Sequence, residues 1–353
     1  MKYVATSLVL LSLSLTGPAN SVPQRAVTIE QPVVKERFTK VSDIVWASPK
    51  GMNLTMDIYT PNTGKASYPV IVMFHGGGWL INTKSIMDEP AAYLATNGEY
   101  VVCNVNYRLL PDQNNTVKMN EIVEDAFGAV LWVKDNIRNY KGNPGQIIVT
   151  GDSAGGHLAT MVVTQGHNLE SDGFAGPTLG YNPTYLPKGK TTEQVAKENG
   201  LAVQAAIISY GAFDLYGSAL GGFEKPGNMF WGLAKAQPRG LFGDGINPTD
   251  NPAPYKQVSP LYNIPKAGER KLPPMLFTVG SNDNLTTPAS IETYIAKLKE
   301  AGHTNIAYWV YEGRPHAFLD SGSNPFLGTS FQKDAPAALD KMIAFLDTIF
   351  YRH

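Results

Sequence analysis

Apolar and polar positions follow two rhythms along the chain. Residues 54–61, LTMDIYTP, alternate in a strand-like way and stop at Pro61. Two continuous apolar runs follow, YPVIVMFHGGGW at 68–79 and EYVVCNVNYRLLP at 99–111. Each has the length of a strand buried on both faces. Between 120 and 138 the rhythm changes: Ile122, Val123, Ala126, Phe127, Val130, Leu131, Val133 and Ile137 recur at helical spacing and predict an amphipathic helix. The alternation then continues with a strand at 146–150, a helix at 154–165 and strands at 205–211 and 274–280. A helix at 288–301, a strand at 306–313 and a closing helix at 334–351 complete it, and the mixed stretch 22–45 predicts an edge-strand arm. Short two-sided strands alternating with helices predict an α/β fold, with a mostly parallel twisted sheet covered by helices on both faces.

Two segments break the alternation. Residues 166–203 are polar and rich in Gly, Pro and Thr, and residues 213–262 scatter aromatic residues among glycines and prolines. Loops this long inside a domain are usually functional, so both are expected to be lid or pocket insertions. No linker or internal repeat divides the chain, so 22–353 is expected to be one domain.

Composition narrows the function. Lys+Arg number 29 against 30 Asp+Glu, with no basic block, so nucleic acid is not an expected partner. The single cysteine, Cys103, lies in an apolar run, where it reads as a small buried hydrophobe. At the N-terminus, Lys2 precedes an apolar run centred on 8–15, and Gly17-Pro18 and the small residues Ala19-Asn20-Ser21 follow. That order predicts a signal peptide over 1–21 and a secreted or periplasmic protein. No later segment reaches eighteen apolar residues, so no membrane anchor is expected.

The chemistry starts at Gly151-Asp152-Ser153-Ala154-Gly155, a G-x-S-x-G pentapeptide between a predicted strand and a predicted helix. A chain that reverses this sharply strains its serine and aims the hydroxyl out of the sheet, and small neighbours permit the close approach. The helix start at Ala154 leaves an amide and a positive dipole end beside that hydroxyl. HGGGW, His75 to Trp79, lets a backbone turn inward and present amides to a carbonyl oxygen, as one half of an oxyanion hole does. A serine nucleophile also needs a base and an acid that orients it. His316 and Asp283 each follow a predicted strand, and the order Ser153, Asp283, His316 is that of an α/β-hydrolase triad. Glu312 is an alternative acid. His157 reads as structural, and His167 and His303 are expected at the surface. No metal-ligand spacing competes, and no cofactor is expected.

Together HGGGW, YRLLP (107–111), GDSAGGHLA (151–159), the Asp283 loop and EGRPHAF (312–318) resemble the hormone-sensitive-lipase-like α/β hydrolases. Among these the chain is similar to secreted carbohydrate-type acetyl and feruloyl esterases. The resemblance implies that Ser153 is the nucleophile, His316 the base and Asp283 its orienter. It also implies an oxyanion hole from the amides of Gly77, Gly78 and Ala154, with His75 shaping the loop and Tyr107 and Arg108 structural. Two residues depart from the pattern. Asn284 follows the triad aspartate where many relatives have proline, and Asn82 stands where relatives acting on plant polysaccharide often have glycine.

The expected reaction is hydrolysis of a short-chain or aryl ester, on a small molecule or an oligosaccharide, through an acyl-enzyme. Trp79, Phe213, Tyr216, Phe230 and Trp231 are the candidates for its substrate pocket. A general carboxylesterase or lipase for small hydrophobic esters, a peptidase and a non-catalytic binding protein of the same fold remain open.

Overall fold

The computed structural model describes residues 37–351, so the predicted signal peptide and the first part of the predicted arm lie outside the described residues. Eight strands form one sheet: β1 (Phe38–Ala47), β2 (Leu54–Pro61), β3 (Tyr68–Phe74), β4 (Val101–Val105), β5 (Gly142–Asp152), β6 (Ala205–Ser209), β7 (Met275–Gly280) and β8 (Ile306–Tyr311). Their spatial order is β1-β2-β4-β3-β5-β6-β7-β8. β2 runs antiparallel to β1 and β4, and every pair from β4-β3 to β7-β8 is parallel. The order doubles back at β3, so the loop after β3 meets the loop after β5 at the carboxyl edge, where sheets of this kind place their sites.

The apolar runs explain the layering. All of β3, β4, β6 and β7 is buried, as strands covered on both faces must be. β1, by contrast, is mostly exposed, which fits the predicted edge strand. The helix expected at 120–138 spans Met119–Asn136, and its periodic residues face the core. Each such aliphatic side chain contributes about 1.5–3 kcal/mol by burial.

Some elements differ from the sequence reading. The run 99–111 is strand only as far as Val105, because the chain then leaves the sheet to dock YRLLP against the glycine loop: Leu110 N–H donates to Trp79 O at 2.8 Å. A helix at Asp88–Asn97 and a two-strand hairpin, Ser323–Asn324 with Thr329–Ser330, were not expected. The segment 213–262 contains the short helices Leu215–Leu220, Met229–Ala234 and Pro252–Gln257.

Candidate active site

β5 runs directly into the helix Ala154–Gln165 with Ser153 between them, at φ 51° and ψ −116°. A side-chain-bearing residue in that region is strained, and the neighbouring packing enforces it. A β-carbon on Gly151 would lie 2.7 Å from the Phe74 carbonyl oxygen, and one on Gly155 would collide with that same oxygen. Both glycines of the pentapeptide are therefore packing requirements. Ser153 N–H donates to Ser209 O at 2.9 Å on the neighbouring strand, which fixes the turn from the other side.

The glycine loop leaves β3 with positive φ at Gly77 (118°), Gly78 (59°) and Trp79 (61°). Leu80 and Ile81 N–H both donate to Gly77 O at 3.1 Å, and a β-carbon on Gly77 would strike the Ile81 carbonyl. Among the described residues no group accepts from the Gly77 or Gly78 amide. The Ala154 amide, first in its helix, is likewise without an intrahelical partner. His75 is buried, stacks on Tyr107 with ring centroids 4.4 Å apart, and donates from Nδ1 to Gly76 O at 2.7 Å. Burial lowers its pKa to about 4, so it stays a neutral donor. Tyr107 donates to His75 O at 2.5 Å. Arg108 is clamped by Asp125, through Nε and Nη2 at 2.8 Å each, and by Glu121 at 3.1 Å. Tyr107 thus braces the glycine loop, and Arg108 ties the YRLLP segment to the helix Met119–Asn136.

Asp283 follows β7 and His316 follows β8, and the two meet: His316 Nδ1–H donates to Asp283 Oδ2 at 2.7 Å. The carboxylate is held in turn by Leu285 N–H at 2.8 Å, Thr286 N–H at 2.9 Å and Thr286 Oγ1 at 3.1 Å. Tyr210 packs edge-on against the His316 ring at 4.8 Å. Thr286 and Tyr210 escaped the sequence reading. A threonine three positions after Asp283 was the available signal for the first, and Tyr210 carried none. Glu312, the alternative acid, is exposed and accepts from Ser281 Oγ at 3.2 Å.

Ser153 and His316 open on one cavity of about 450 Å³. Its wall is chiefly apolar, with Ile81, Ile86, Met229, Phe230, Leu233, Leu285, Phe326 and Leu327, and it also includes Asn82, Asn284, Asn324, Asp152 and Asp320. Asp152 Oδ1 has no partner among the described residues. Burial raises the Asp152 carboxyl, against the opposing charge of His316, and burial together with Asp152 raises that of Asp320. Asn82 has φ 76°, so it takes up the left-handed backbone that glycine otherwise supplies.

Of the five pocket candidates, Phe230 alone belongs to the cavity wall. Trp79 is buried, donating from Nε1 to His157 Nδ1 at 3.2 Å and packing edge-on to Phe223. Trp231 is buried and donates to Phe223 O at 2.9 Å, and Phe213 stacks on Tyr294 at 4.0 Å. Tyr216 packs against Tyr262 with Lys256 over its ring. Trp79, Phe213 and Trp231 are therefore core residues, and Tyr216 is half-buried against that core. His157 is buried, donates from Nε2 to Val258 O at 2.7 Å and is held neutral by burial, which lowers its pKa to about 4. His167 is exposed as expected. His303 is not: it is buried and donates to Pro265 O at 2.7 Å, tying down the turn after the helix Pro288–Glu300.

The doubling-back parallel sheet, the strained serine after β5 and the carboxylate-bound histidine after β8 define an α/β-hydrolase. Residues 56–298, well over half of the chain, match the BD-FAE family, and the chain belongs to that family. It is 24% identical to the esterase LipQ of Mycobacterium tuberculosis over 309 residues, 86% of this chain and 64% of that protein. It is 30% identical to the esterase LipI of the same organism over 178 residues, 50% of this chain and 52% of that one. The chain thus spans less than two thirds of the length of these relatives. Thermogutta terrifontis esterase 2 in its apo form superposes with a TM-score of 0.62 at 22% identity, covering 88% of this chain and 96% of that one.

Proposed function

We propose that the protein is an exported serine carboxylesterase that cleaves short-chain or aryl esters whose alcohol is a carbohydrate. One observation carries the esterase reading: a serine held at φ 51° shares a cavity with a histidine whose Nδ1 is bonded to a buried carboxylate. With Nδ1 bound to Asp283, Nε2 is the nitrogen left to take the Ser153 proton as Oγ attacks the ester carbonyl. The amides of Gly77, Gly78 and Ala154 then hold the negative oxygen. Collapse breaks the ester C–O bond, His316 returns the proton to the leaving alcohol, and an acyl-serine remains. Water, deprotonated by the same histidine, releases the acid and restores Ser153.

The names of the two relatives described above, both esterases, support this reading. Export rests on the tripartite pattern of residues 1–21. The asparagines at 82, 284 and 324 offer hydrogen bonds to a hydroxyl-rich alcohol. The apolar remainder of the wall favours a second reading within the same chemistry, a general carboxylesterase for small hydrophobic esters. The test is a fluorophosphonate probe followed by an ester panel: acetylated and feruloylated oligosaccharides against methyl acetate, butyrate and octanoate. Labelling at Ser153 with fastest turnover of the oligosaccharide esters is the expected result. An unlabelled Ser153 would remove the esterase reading, and a preference for octanoate would remove the carbohydrate one.

A further inference from the structure

Phe326 is 84% exposed, more than any other large apolar side chain among the described residues. It stands at the tip of the hairpin formed by Ser323–Asn324 and Thr329–Ser330. The base of that hairpin is firmly tied. Ser321 N–H donates to Ile86 O at 2.8 Å, Glu89 N–H to Ser321 Oγ at 3.0 Å, Gly322 N–H to Glu89 Oε2 at 2.5 Å and Ser330 N–H to Asp334 Oδ2 at 2.8 Å. Across the tip, Leu327 N–H donates to Asn324 Oδ1 at 3.2 Å. A pinned hairpin therefore holds an aromatic ring at the solvent edge of the fold, where a bound apolar group that covers it gains the free energy of burying that surface.

What covers it is indicated by where it stands. Phe326 belongs to the wall of the cavity that holds Ser153 and His316. The same wall includes Phe230, whose ring rests on the glycine loop so closely that a β-carbon on Gly78 would lie 2.9 Å from it. One aromatic residue is thus fixed beside the loop that receives the carbonyl oxygen, and a second is fixed at the exposed rim. Met229 and Leu233, 44% and 57% exposed, extend the apolar surface between solvent and cavity.

We propose that Phe326 is a specificity-determining residue, which with Phe230 brackets the aryl portion of the ester and so sets a preference for aryl over acetyl groups. The proposal rests on the serine-esterase reading and deepens it. Aromatic pairs gain directional contact beyond simple area burial, and losing one such contact corresponds to roughly a tenfold change in selectivity.

The experiment compares methyl ferulate with methyl acetate, which share an alcohol and differ in the acyl group. It measures kcat/KM for the full chain and for the Phe326→Ala and Phe326→Tyr variants. The ferulate-to-acetate ratio is expected to fall about tenfold in Phe326→Ala, through KM, and to recover in Phe326→Tyr. An active enzyme whose ratio stays within about twofold in Phe326→Ala, or is not restored by tyrosine, overturns the bracket and leaves the esterase reading standing. A wild-type chain that hydrolyses neither ester and takes no fluorophosphonate at Ser153 overturns both.

Discussion

Glu124 provides a stringent test of the electrostatics behind the site. It lies on the helix Met119–Asn136, one residue before the Asp125 that grips Arg108, and it is buried. Its two donors, Asn120 Nδ2 and Asn182 N–H, stand at a long 3.3 Å, while Asp125 and Glu121 add like charge. Burial is the main cause that raises its pKa from 4.5 to about 8. Between those two values the folded chain holds a proton at Glu124 that the unfolded chain has released. The associated stability is fully present below pH 4.5 and drains away as pH rises, by about 1.4 kcal/mol per pH step. Once Glu124 ionises near pH 8, the loss levels off at about 5 kcal/mol relative to acid pH. Glu124→Gln keeps the oxygen that accepts from Asn120 and Asn182 and removes the titration. Urea unfolding of both proteins from pH 4.5 to 9 should therefore show the variant gaining on wild type by about 3 kcal/mol at pH 7, with a plateau above pH 8. A difference that stays flat with pH would refute the neutral, desolvated carboxyl.

Three further outcomes follow from the site itself. Ser153→Ala should keep the fold, by circular dichroism, and lose at least about 10⁴-fold in kcat on any ester that the wild type turns over. Asp283→Asn should cost about as much while leaving fluorophosphonate labelling slow rather than absent, since the nucleophile remains and its base loses its orienter. Arg108→Ala strips a buried Asp125 of its partner and should destabilise the chain by about 3–5 kcal/mol, read as a lowered midpoint of unfolding.

The sheet was legible because its strands obey simple periods: LTMDIYTP is the strand Leu54–Pro61, and the helix after Ser153 begins and ends where its pattern does. The helix Asp88–Asn97 was not legible. It has Pro90 in its first turn and buries mainly Ala91, Leu94 and Ala95, too small an apolar stripe to announce a period. The pocket was harder still. Aromatics among glycines and prolines carry no periodicity, so composition could not separate Phe230 on the cavity wall from Trp231, its chain neighbour, in the core. Phe326 and Leu285 reach the cavity from loops as single apolar residues, a signal that does not differ from ordinary surface exposure.

The motifs, by contrast, were legible because backbone packing leaves no freedom in them. The Phe74 carbonyl at the end of β3 excludes a side chain from Gly155 and, together with the Gly155 carbonyl, from Gly151. The same strand end continues into His75 and the glycine loop. A β-carbon on Gly76 would in turn collide with the Asp152 carboxylate beside Ser153. The serine turn and the glycine loop are therefore located against each other through backbone and one buried carboxylate, with no flexible side chain as a spacer. Relative placement of nucleophile and amides is what acyl transfer requires to a fraction of an ångström. Gly155→Ala is thus expected to act twice. The added methyl overpacks the turn, at about 1–3 kcal/mol of stability, and it also pushes Ser153 away from the loop. The variant should then show a fall in kcat at temperatures where circular dichroism still reports it folded. Full kcat in a folded Gly155→Ala would mean that the two loops are not registered through this contact.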